Sequence, residues 1–152
     1  MFNKPNQKKY QVLNKALYAI GISMLFTACS MNVPLAPKSQ DTLKKKFNKP
    51  KDNQSAIYIY RDSIMGALLA HPLEIDGKHI GDIANGTYRY KTVLAGKHLI
   101  SSYNTRPIAV NTESGENYYF ELKIQTRYPS VYIVRVPEKT AKEEILDCQL
   151  AK

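Results

Sequence analysis

The fold of this chain is decided by residues 71–83, which read HPLEIDGKHIGDI. Two short apolar segments flank the pair Asp76-Gly77 at the centre of this stretch. An Asp-Gly pair in such a setting is a strong signal for a two-residue hairpin, because both of its positions tolerate a positive φ angle. We therefore predict two antiparallel strands joined by a tight turn.

The chain on both sides of this hairpin repeats the alternation of short strands and glycine turns. Short strands at regular spacing are typical of an antiparallel β-sandwich and not of a βαβ sheet. The fold predicted from the sequence is therefore all-β with a short C-terminal helix, built as an antiparallel β-sandwich of about seven strands, with seven or eight strands counted. Besides the hairpin, strands are predicted at 55–62, 87–93, 98–103, 108–110, 117–124 and 130–136, with turns at 85–86, 95–97 and 114–116.

The first predicted strand is apolar on both of its faces. Residues 55–62 read SAIYIYRD, in which alanine and tyrosine alternate with isoleucine. Side chains alternate between the two faces of a strand, so both faces of this one are expected to be covered. Such a pattern indicates a strand in the interior of the domain.

The C-terminal segment changes to a helical period. Thr140 is followed three residues later by Glu143, the arrangement of a capping box, which predicts that the helix begins at Thr140. Ala141, Ile145 and Cys148 then share one face, which is expected to lie against the sheet. Cys148 is either a small buried apolar side chain or a thiol that pairs between molecules in an oxidising compartment.

The N-terminus has the three zones of an export signal. Four lysines and no acidic residue precede the apolar run ALYAIGISMLF at 16–26. Eleven apolar residues suit a signal peptide, whereas a helix that spans a membrane needs about 20. Residues 1–28 are therefore predicted to be a signal peptide that is removed after Ala28.

The cleavage region, LFTACS at 25–30, resembles the lipobox of bacterial lipoproteins. This resemblance implies that Cys29 is diacylated, that the signal is cut just before it and that the new amine is acylated. Phe26 departs from the pattern, which usually has leucine there. An ordinary cleaved signal with a coincidental cysteine is the alternative. By resemblance to the sorting rules of double-membrane bacteria, Ser30 favours an outer-membrane location facing the periplasm.

Residues 29–54 are predicted to be the lipidated cysteine and a flexible tether, and residues 55–152 the domain. The tether is rich in proline and lysine and has few apolar positions, so it should be mostly disordered. Its lysines at 44–46 either touch anionic headgroups or cell-wall polymers, or are merely solvated. The net charge of +9 is concentrated before residue 55, which leaves +1 on the domain and excludes a nucleic-acid partner.

The order of segments from Ser55 to Gln125 resembles the bacterial lipoprotein family known as domain of unknown function 2846. It is similar, more loosely, to small sandwich repeats with a D-G-K-x-x-G hairpin. The resemblance implies a signal peptide or lipid anchor, a β-sandwich and an unassigned function. It is carried by turn and core residues: Tyr58, Asp76, Gly77, Gly81, Gly86, Tyr88, Gly96, His98 and Tyr119.

No residue set in the sequence specifies a reaction. His71, His79 and His98 form no metal-like pair at short spacing, so no metal and no cofactor are predicted. There is no G-x-S-x-G motif and no glycine-rich phosphate loop. We predict a protein that is not an enzyme. A cell-envelope hydrolase and a self-assembling envelope subunit that uses its edge strands or Cys148 remain the alternatives.

One connecting segment is unusually apolar. Residues 63–70 read SIMGALLA, with Ile64, Met65, Leu68 and Leu69 as a possible binding loop. Loops normally run over the surface, so this one either plugs an end of the sandwich or offers an apolar patch to a lipid or a partner. The expected role is a membrane-anchored binding or structural accessory module of the cell envelope. Its expected partners are the membrane, through the N-terminal lipid, and an envelope protein or cell-wall polymer.

Overall fold

A computed structural model describes residues 33–63, 65–66, 68–125 and 130–152. The predictions for the signal peptide, for Ala28 and Cys29, and for the side chain of Ile64 fall outside these residues. Among the helices described, none has the length and apolar character needed to cross a membrane.

The described residues form nine strands and two helices, so the strand number exceeds the seven or eight predicted. The ninth strand has only two residues, too few to give a periodic signal in the sequence. In chain order, the elements are α1 (Lys38–Lys44), β1 (Gln54–Arg61), β2 (His71–Ile75), β3 (Lys78–Ile83), β4 (Thr87–Leu94), β5 (Gly96–Ser102), β6 (Ile108–Thr112), β7 (Asn117–Gln125), β8 (Ser130–Arg135), α2 (Glu138–Asp147) and β9 (Gln149–Leu150).

These strands form two sheets. The five-stranded sheet has the order β8-β7-β1-β4-β9, and the four-stranded sheet has the order β3-β2-β5-β6. The first sheet is mixed, because β1 pairs in parallel with β7 and β4 in parallel with β9. The prediction of a purely antiparallel arrangement is therefore wrong for this sheet. Turn signals in a sequence report only strands joined by short connections, whereas β1 and β7 are separated by the whole second sheet.

The predicted hairpin is confirmed. β2 and β3 pair antiparallel around Asp76 and Gly77, whose φ angles of 54° and 72° are those of a type I′ turn. Gly81 follows on β3 with a φ of 114°, and a side chain there would collide with the guanidinium of Arg89. That guanidinium donates from Nε to the carbonyl of Asp82 at 2.7 Å. In the D-G-K-x-x-G pattern, the first two residues thus form the turn, and the last glycine lets the side chain of Arg89 lie against the backbone.

A hydrophobic core lies between the two sheets. Every strand except β4 and β9 contributes at least one buried side chain to it. Burial of each large aliphatic side chain contributes about 1.5–3 kcal/mol relative to its exposure. The members are Ile57, Ile59, Leu73, Ile75, Ile83, Ile100, Val110, Tyr118, Phe120, Leu122 and Ile133.

The opposite face of the five-stranded sheet carries an aromatic layer. The two-faced pattern predicted for β1 is confirmed, since its isoleucines enter the first core while Tyr58 and Tyr60 enter this layer. Tyr88, Tyr90 and Tyr119 from the neighbouring strands complete it. Packing against this face of the sheet therefore accounts for five of the eleven tyrosines of the chain.

The segment before β1 covers this aromatic layer, which contradicts the prediction of a disordered tether for its described part, residues 33–54. The ring of Phe47 lies 5.5 Å from that of Tyr58, centroid to centroid. Ala36 and Phe47 of this segment pack against the aromatic layer, a placement that a count of apolar residues does not show. Lys44 Nζ lies 3.8 Å from the centroid of the Tyr90 ring, and Lys45 forms an ion pair with Asp41.

Backbone pairing joins this segment to the end of the chain. The amide of Ala36 donates to the carbonyl of Leu150 at 2.8 Å, and that of Lys152 donates to Pro34 at 2.8 Å. The side chain of Asp41 accepts from the amide of Leu150 at 2.9 Å. The folded unit accordingly begins at least as early as residue 33, and not at residue 55.

The C-terminal helix α2 starts earlier than predicted. It begins at Glu138 after Pro137, so Thr140 lies inside the first turn and caps nothing with its side chain. A proline before the helix and an acidic residue in its first turn supply the start signal instead. The predicted packing face of Ala141, Ile145 and Cys148 is confirmed, because all three are buried.

Cys148 lies at the end of this helix with 1% of its surface exposed. Burial raises the pKa of its thiol to about 12, which keeps the thiol protonated at physiological pH. A disulfide between two copies would require this end of α2 to leave the sheet. The structure therefore favours the reading of Cys148 as a packing residue.

Candidate functional site

The apolar connection between β1 and β2 is the candidate site. We call residues 62–70 the β1–β2 loop. Met65 is 48% exposed, Leu68 87% and Leu69 59%. These three side chains thus form an apolar patch on the surface and do not plug the end of the sheets, although plugging was one of the two expectations.

Arg61, the last residue of β1, holds this loop from inside. Its side chain is fully buried, and its guanidinium donates to three loop carbonyls. Nη1 donates to Leu69 at 2.5 Å, and Nη2 donates to Met65 at 2.8 Å and to Gly66 at 2.6 Å. With the backbone carbonyls turned inward onto one cation, the apolar side chains are left on the outside.

Burial lowers the pKa of Arg61, but the ordinary value is so high that the group stays charged. Within the described ranges, its hydrogen bonds go to carbonyl oxygens and none goes to a carboxylate. Sequence reasoning missed this role. In the sequence, Arg61 lies between the apolar strand and Asp62, a position that predicts an exposed side chain at the end of the strand.

Two other connections lie at the same end of the sheets. The amide of Ser63 donates to Oδ1 of Asn85, in the turn between β3 and β4, at 2.8 Å. The hydroxyl of Ser102, at the end of β5, donates to the carbonyl of Pro72 at 2.7 Å. This bond places the following turn, residues 103–107, beside the start of β2.

The first described residue of the chain is packed in the domain. Val33 is 5% exposed and belongs to a small buried cluster with Ala84 and Ala151. From Ala36 back to Pro34, however, the chain runs along the last strand away from the connections just described. We call the end of the domain that holds the described residues of 62–70, 84–86 and 103–107 the loop end.

The three histidines do not converge. His71 is half-buried near Arg61, and its pKa is lowered by burial first and by the charge of Arg61 second. His79 is exposed, with its ring 3.6 Å from the carboxylate of Asp82. His98 lies beside the β2–β3 turn, at the opposite end of the sheets from the loop end.

His98 joins three elements through its ring. Nδ1 lies 2.7 Å from the carboxylate of Asp76, and Nε2 lies 2.7 Å from the carbonyl of Leu94. Asp76 also accepts from the amide of Leu99 at 2.9 Å. Both ring nitrogens face acceptors, so the doubly protonated imidazolium satisfies the arrangement best. Burial lowers the pKa of His98, but the bonds to Asp76 and Leu94 outweigh it and raise the pKa above 6.5.

The free energy of unfolding is expected to fall by about 1 kcal/mol as the pH rises through the folded pKa of His98. The fall is no larger because the Asp76 carboxylate is partly exposed and screened. Because the pKa of His98 is raised in the folded state, the stabilisation from its bonds is complete below 6.5, the unfolded value, and is lost at higher pH. The bonds from His98 and Leu99 lower the pKa of Asp76 from 3.8, so its contribution is complete above that value and is lost at lower pH.

Urea unfolding at a series of pH values measures this step, the fall in stability as the pH rises through the folded pKa of His98. The His98→Gln substitution should abolish the step. The matched control is His79→Gln, which removes an exposed histidine and should leave the step in place. A step of equal size in the His98→Gln variant would contradict the assignment.

The described residues offer little for catalysis. They contain no group of three or more histidine, cysteine, aspartate or glutamate side chains that suits a metal ion. The hydroxyl of Ser101 points to the carboxylate of Glu74 at 3.4 Å, and that of Ser102 is used by Pro72. Neither serine is hydrogen-bonded to a histidine, which a serine nucleophile would need as its base.

Comparison with known proteins relates the chain to one family. The family described as Protein of unknown function (DUF2846) matches residues 51–138. A protein of Haemophilus influenzae described as uncharacterized is 34% identical over 137 residues, which cover 87% of this chain and 81% of the relative. The N-terminal domain of AlgF from P. aeruginosa aligns with 59% of this chain and 100% of its own at 10% identity, with a TM-score of 0.40. Since the family match spans more than half of the sequence, the chain belongs to the DUF2846 family.

Proposed function

We propose that this protein is a lipoprotein of the bacterial cell envelope, anchored to a membrane by acyl chains on Cys29. Its folded part, a two-layer β-sandwich with helices on one outer face, acts as a binding or structural accessory module. The location proposed is the outer membrane, facing the periplasm, on the strength of Ser30 after the cysteine.

The observation that carries the proposal is the order of features in residues 1–30. A basic stretch is followed by an apolar run of eleven residues and then by Ala28 and Cys29. Each buried CH₂ of an acyl chain contributes about 0.8 kcal/mol, so two or three chains hold a small domain on a bilayer almost permanently.

The fold changes the expected geometry of such an anchor. Because Val33 is already packed in the domain, only four chain steps separate Cys29 from the folded unit. Four steps reach at most about 14 Å when fully extended. An acylated Cys29 would therefore hold the domain close to the bilayer, and not on the long stalk expected from residues 29–54.

Substitution of the two cysteines tests the proposal, and Cys148 is the matched control. The native protein and Cys148→Ala should incorporate labelled palmitate in cells and stay with membranes washed in alkaline carbonate. Cys29→Ala should incorporate no label. Palmitate labelling that survives in Cys29→Ala would overturn the proposal.

A further inference from the structure

We propose that a cavity between strands β3 and β4 binds a straight-chain fatty acid in its carboxylate form. The alkyl chain lies along the aliphatic wall of this β3–β4 cavity, and the carboxylate lies at the mouth, near Lys78 and Lys91. The inference rests on the binding role in the proposed function, but it does not depend on the acyl chains of Cys29.

The cavity lies where the two sheets are open to each other. β3 is an edge strand of the four-stranded sheet. In the part of the chain that the structure describes, β9 pairs only with Thr87 and Tyr88, so the rest of β4 has a free edge. The opening between β3 and β4 has a volume of about 390 Å³, within the range of about 300–1,000 Å³ that is usual for small-molecule sites.

The apolar wall of the cavity is aliphatic. It is formed by Ile75, Ile80, Val93 and Leu94. Their exposure ranges from 70% at Leu94 to 4% at Ile75, which belongs to the core between the sheets. The cavity therefore connects the surface with the edge of the hydrophobic core. A flexible alkyl chain can leave water by lying along such a wall.

Each of the two strands directs a lysine toward the inside of the sandwich. Lys91 pairs with Ile57 and Lys78 pairs with Ile75, and both isoleucines belong to the core. Directly paired residues share one face of a sheet, so both lysines lie on core-facing sides, where apolar residues are usual. Both are exposed, which leaves their ammonium groups at the mouth of the cavity.

The positive charge around the cavity is only partly balanced. Among the described residues, neither Lys78 nor Lys91 forms an ion pair. The carboxylates of Asp76 and Asp82 each face a histidine ring, although Lys78 helps to lower the pKa of Asp76. Arg89, two residues before Lys91 on the same face, is buried beside Gly81. Excess positive charge beside an aliphatic wall suits a ligand with an apolar body and an anionic end.

Photolabelling of the full chain in phosphatidylcholine vesicles tests the inference. The probe is dodecanoate with a photoreactive diazirine near the end of its alkyl chain. Illumination should attach it to peptides that contain Ile80, Val93 or Leu94, as located by mass spectrometry. Unlabelled dodecanoate should compete. Dodecanol and dodecyltrimethylammonium, which have the same chain without the negative charge, should compete roughly fivefold more weakly.

The variant Lys91→Met keeps most of the side-chain volume and removes one cation. It should lower the labelling at equal probe concentration by roughly fivefold. The matched control is Lys97→Met, which removes the same charge from an exposed lysine of β5 that does not line the cavity. The control should be labelled as strongly as the native chain.

The possible failures are distinguishable. The inference is overturned if dodecanol competes as well as dodecanoate, if Lys91→Met is labelled as strongly as Lys97→Met, or if the label spreads over peptides outside the cavity. The proposed anchor stands in each of these cases, because palmitate incorporation at Cys29 is measured separately. If the cavity is labelled as expected and Cys29→Ala still incorporates palmitate, the anchor alone is overturned.

Discussion

Replacement of Tyr58 with alanine is expected to lower the free energy of unfolding by about 3–5 kcal/mol, the usual cost of deleting a buried aromatic side chain. Tyr58 is 1% exposed at the centre of the aromatic layer. Its ring centroid lies 5.0 Å from that of Tyr90, 5.2 Å from that of Tyr119 and 5.5 Å from that of Phe47. The alanine variant would leave a cavity that the strands cannot close.

Two further variants separate the causes. Tyr58→Phe removes only the hydroxyl, which donates to the carbonyl of Lys44 at 3.1 Å, and should cost about 1 kcal/mol. Tyr103→Ala truncates an exposed tyrosine and should change stability by no more than about 0.5 kcal/mol. Urea denaturation followed by circular dichroism gives all three values. Equal stabilities of the Tyr58→Ala and Tyr103→Ala variants would show that the segment before β1 does not cover a core.

Replacement of Arg61 with methionine is the second change with a large expected effect. It keeps most of the side-chain volume but leaves the carbonyls of Met65, Gly66 and Leu69 without their donor. The carbonyl of Gly66 still accepts from the amide of Leu69, whereas those of Met65 and Leu69 lose their donor. Each unmet carbonyl costs at least about 1 kcal/mol, so a loss of about 2–3 kcal/mol in the free energy of unfolding is expected.

The Arg61→Met substitution should also loosen the β1–β2 loop locally. Hydrogen exchange should accelerate at the amide of Leu69, which donates to Gly66 at 2.9 Å in the native loop. Exchange at strand β7 should change only through the global loss of stability. The matched control is Arg106→Met, an exposed arginine in the turn after β5, which should affect neither quantity. Unchanged exchange at Leu69 in the Arg61→Met variant would contradict the proposed role of Arg61.

Local sequence patterns carry much of this fold. The Asp76-Gly77 hairpin, the two-faced strand β1 and the buried face of Ala141 and Ile145 are all confirmed. Each depends on contacts that repeat within a few residues, through turn geometry or side-chain period. The parallel pairing of β1 with β7 depends instead on how the chain returns after five further strands, and no local pattern encodes that return.

The prediction of a disordered tether before β1 fails for a related reason. Its composition resembles that of a disordered linker, yet Val33 and Phe47 are placed where two different parts of the domain need covering. Composition averages over such positions. The packing of the segment depends on partners that lie about a hundred residues later in the chain, such as Leu150 and Ala151.

The candidate site was predictable only in part. The apolar run at 63–70 stands out in the sequence and marks Ile64, Met65, Leu68 and Leu69 as candidate residues. Whether these side chains point in or out depends on what fills the space beneath them. That space is filled by the guanidinium of Arg61, whose three carbonyl partners become evident only once the loop is folded.

Mass spectrometry of the protein purified from membranes of its natural host tests the central claim most directly. The account predicts a mature chain that starts at Cys29, with a mass increased by two or three acyl groups and with all of that increase on the N-terminal peptide. An intact leader, or an unmodified thiol at position 29, would contradict it.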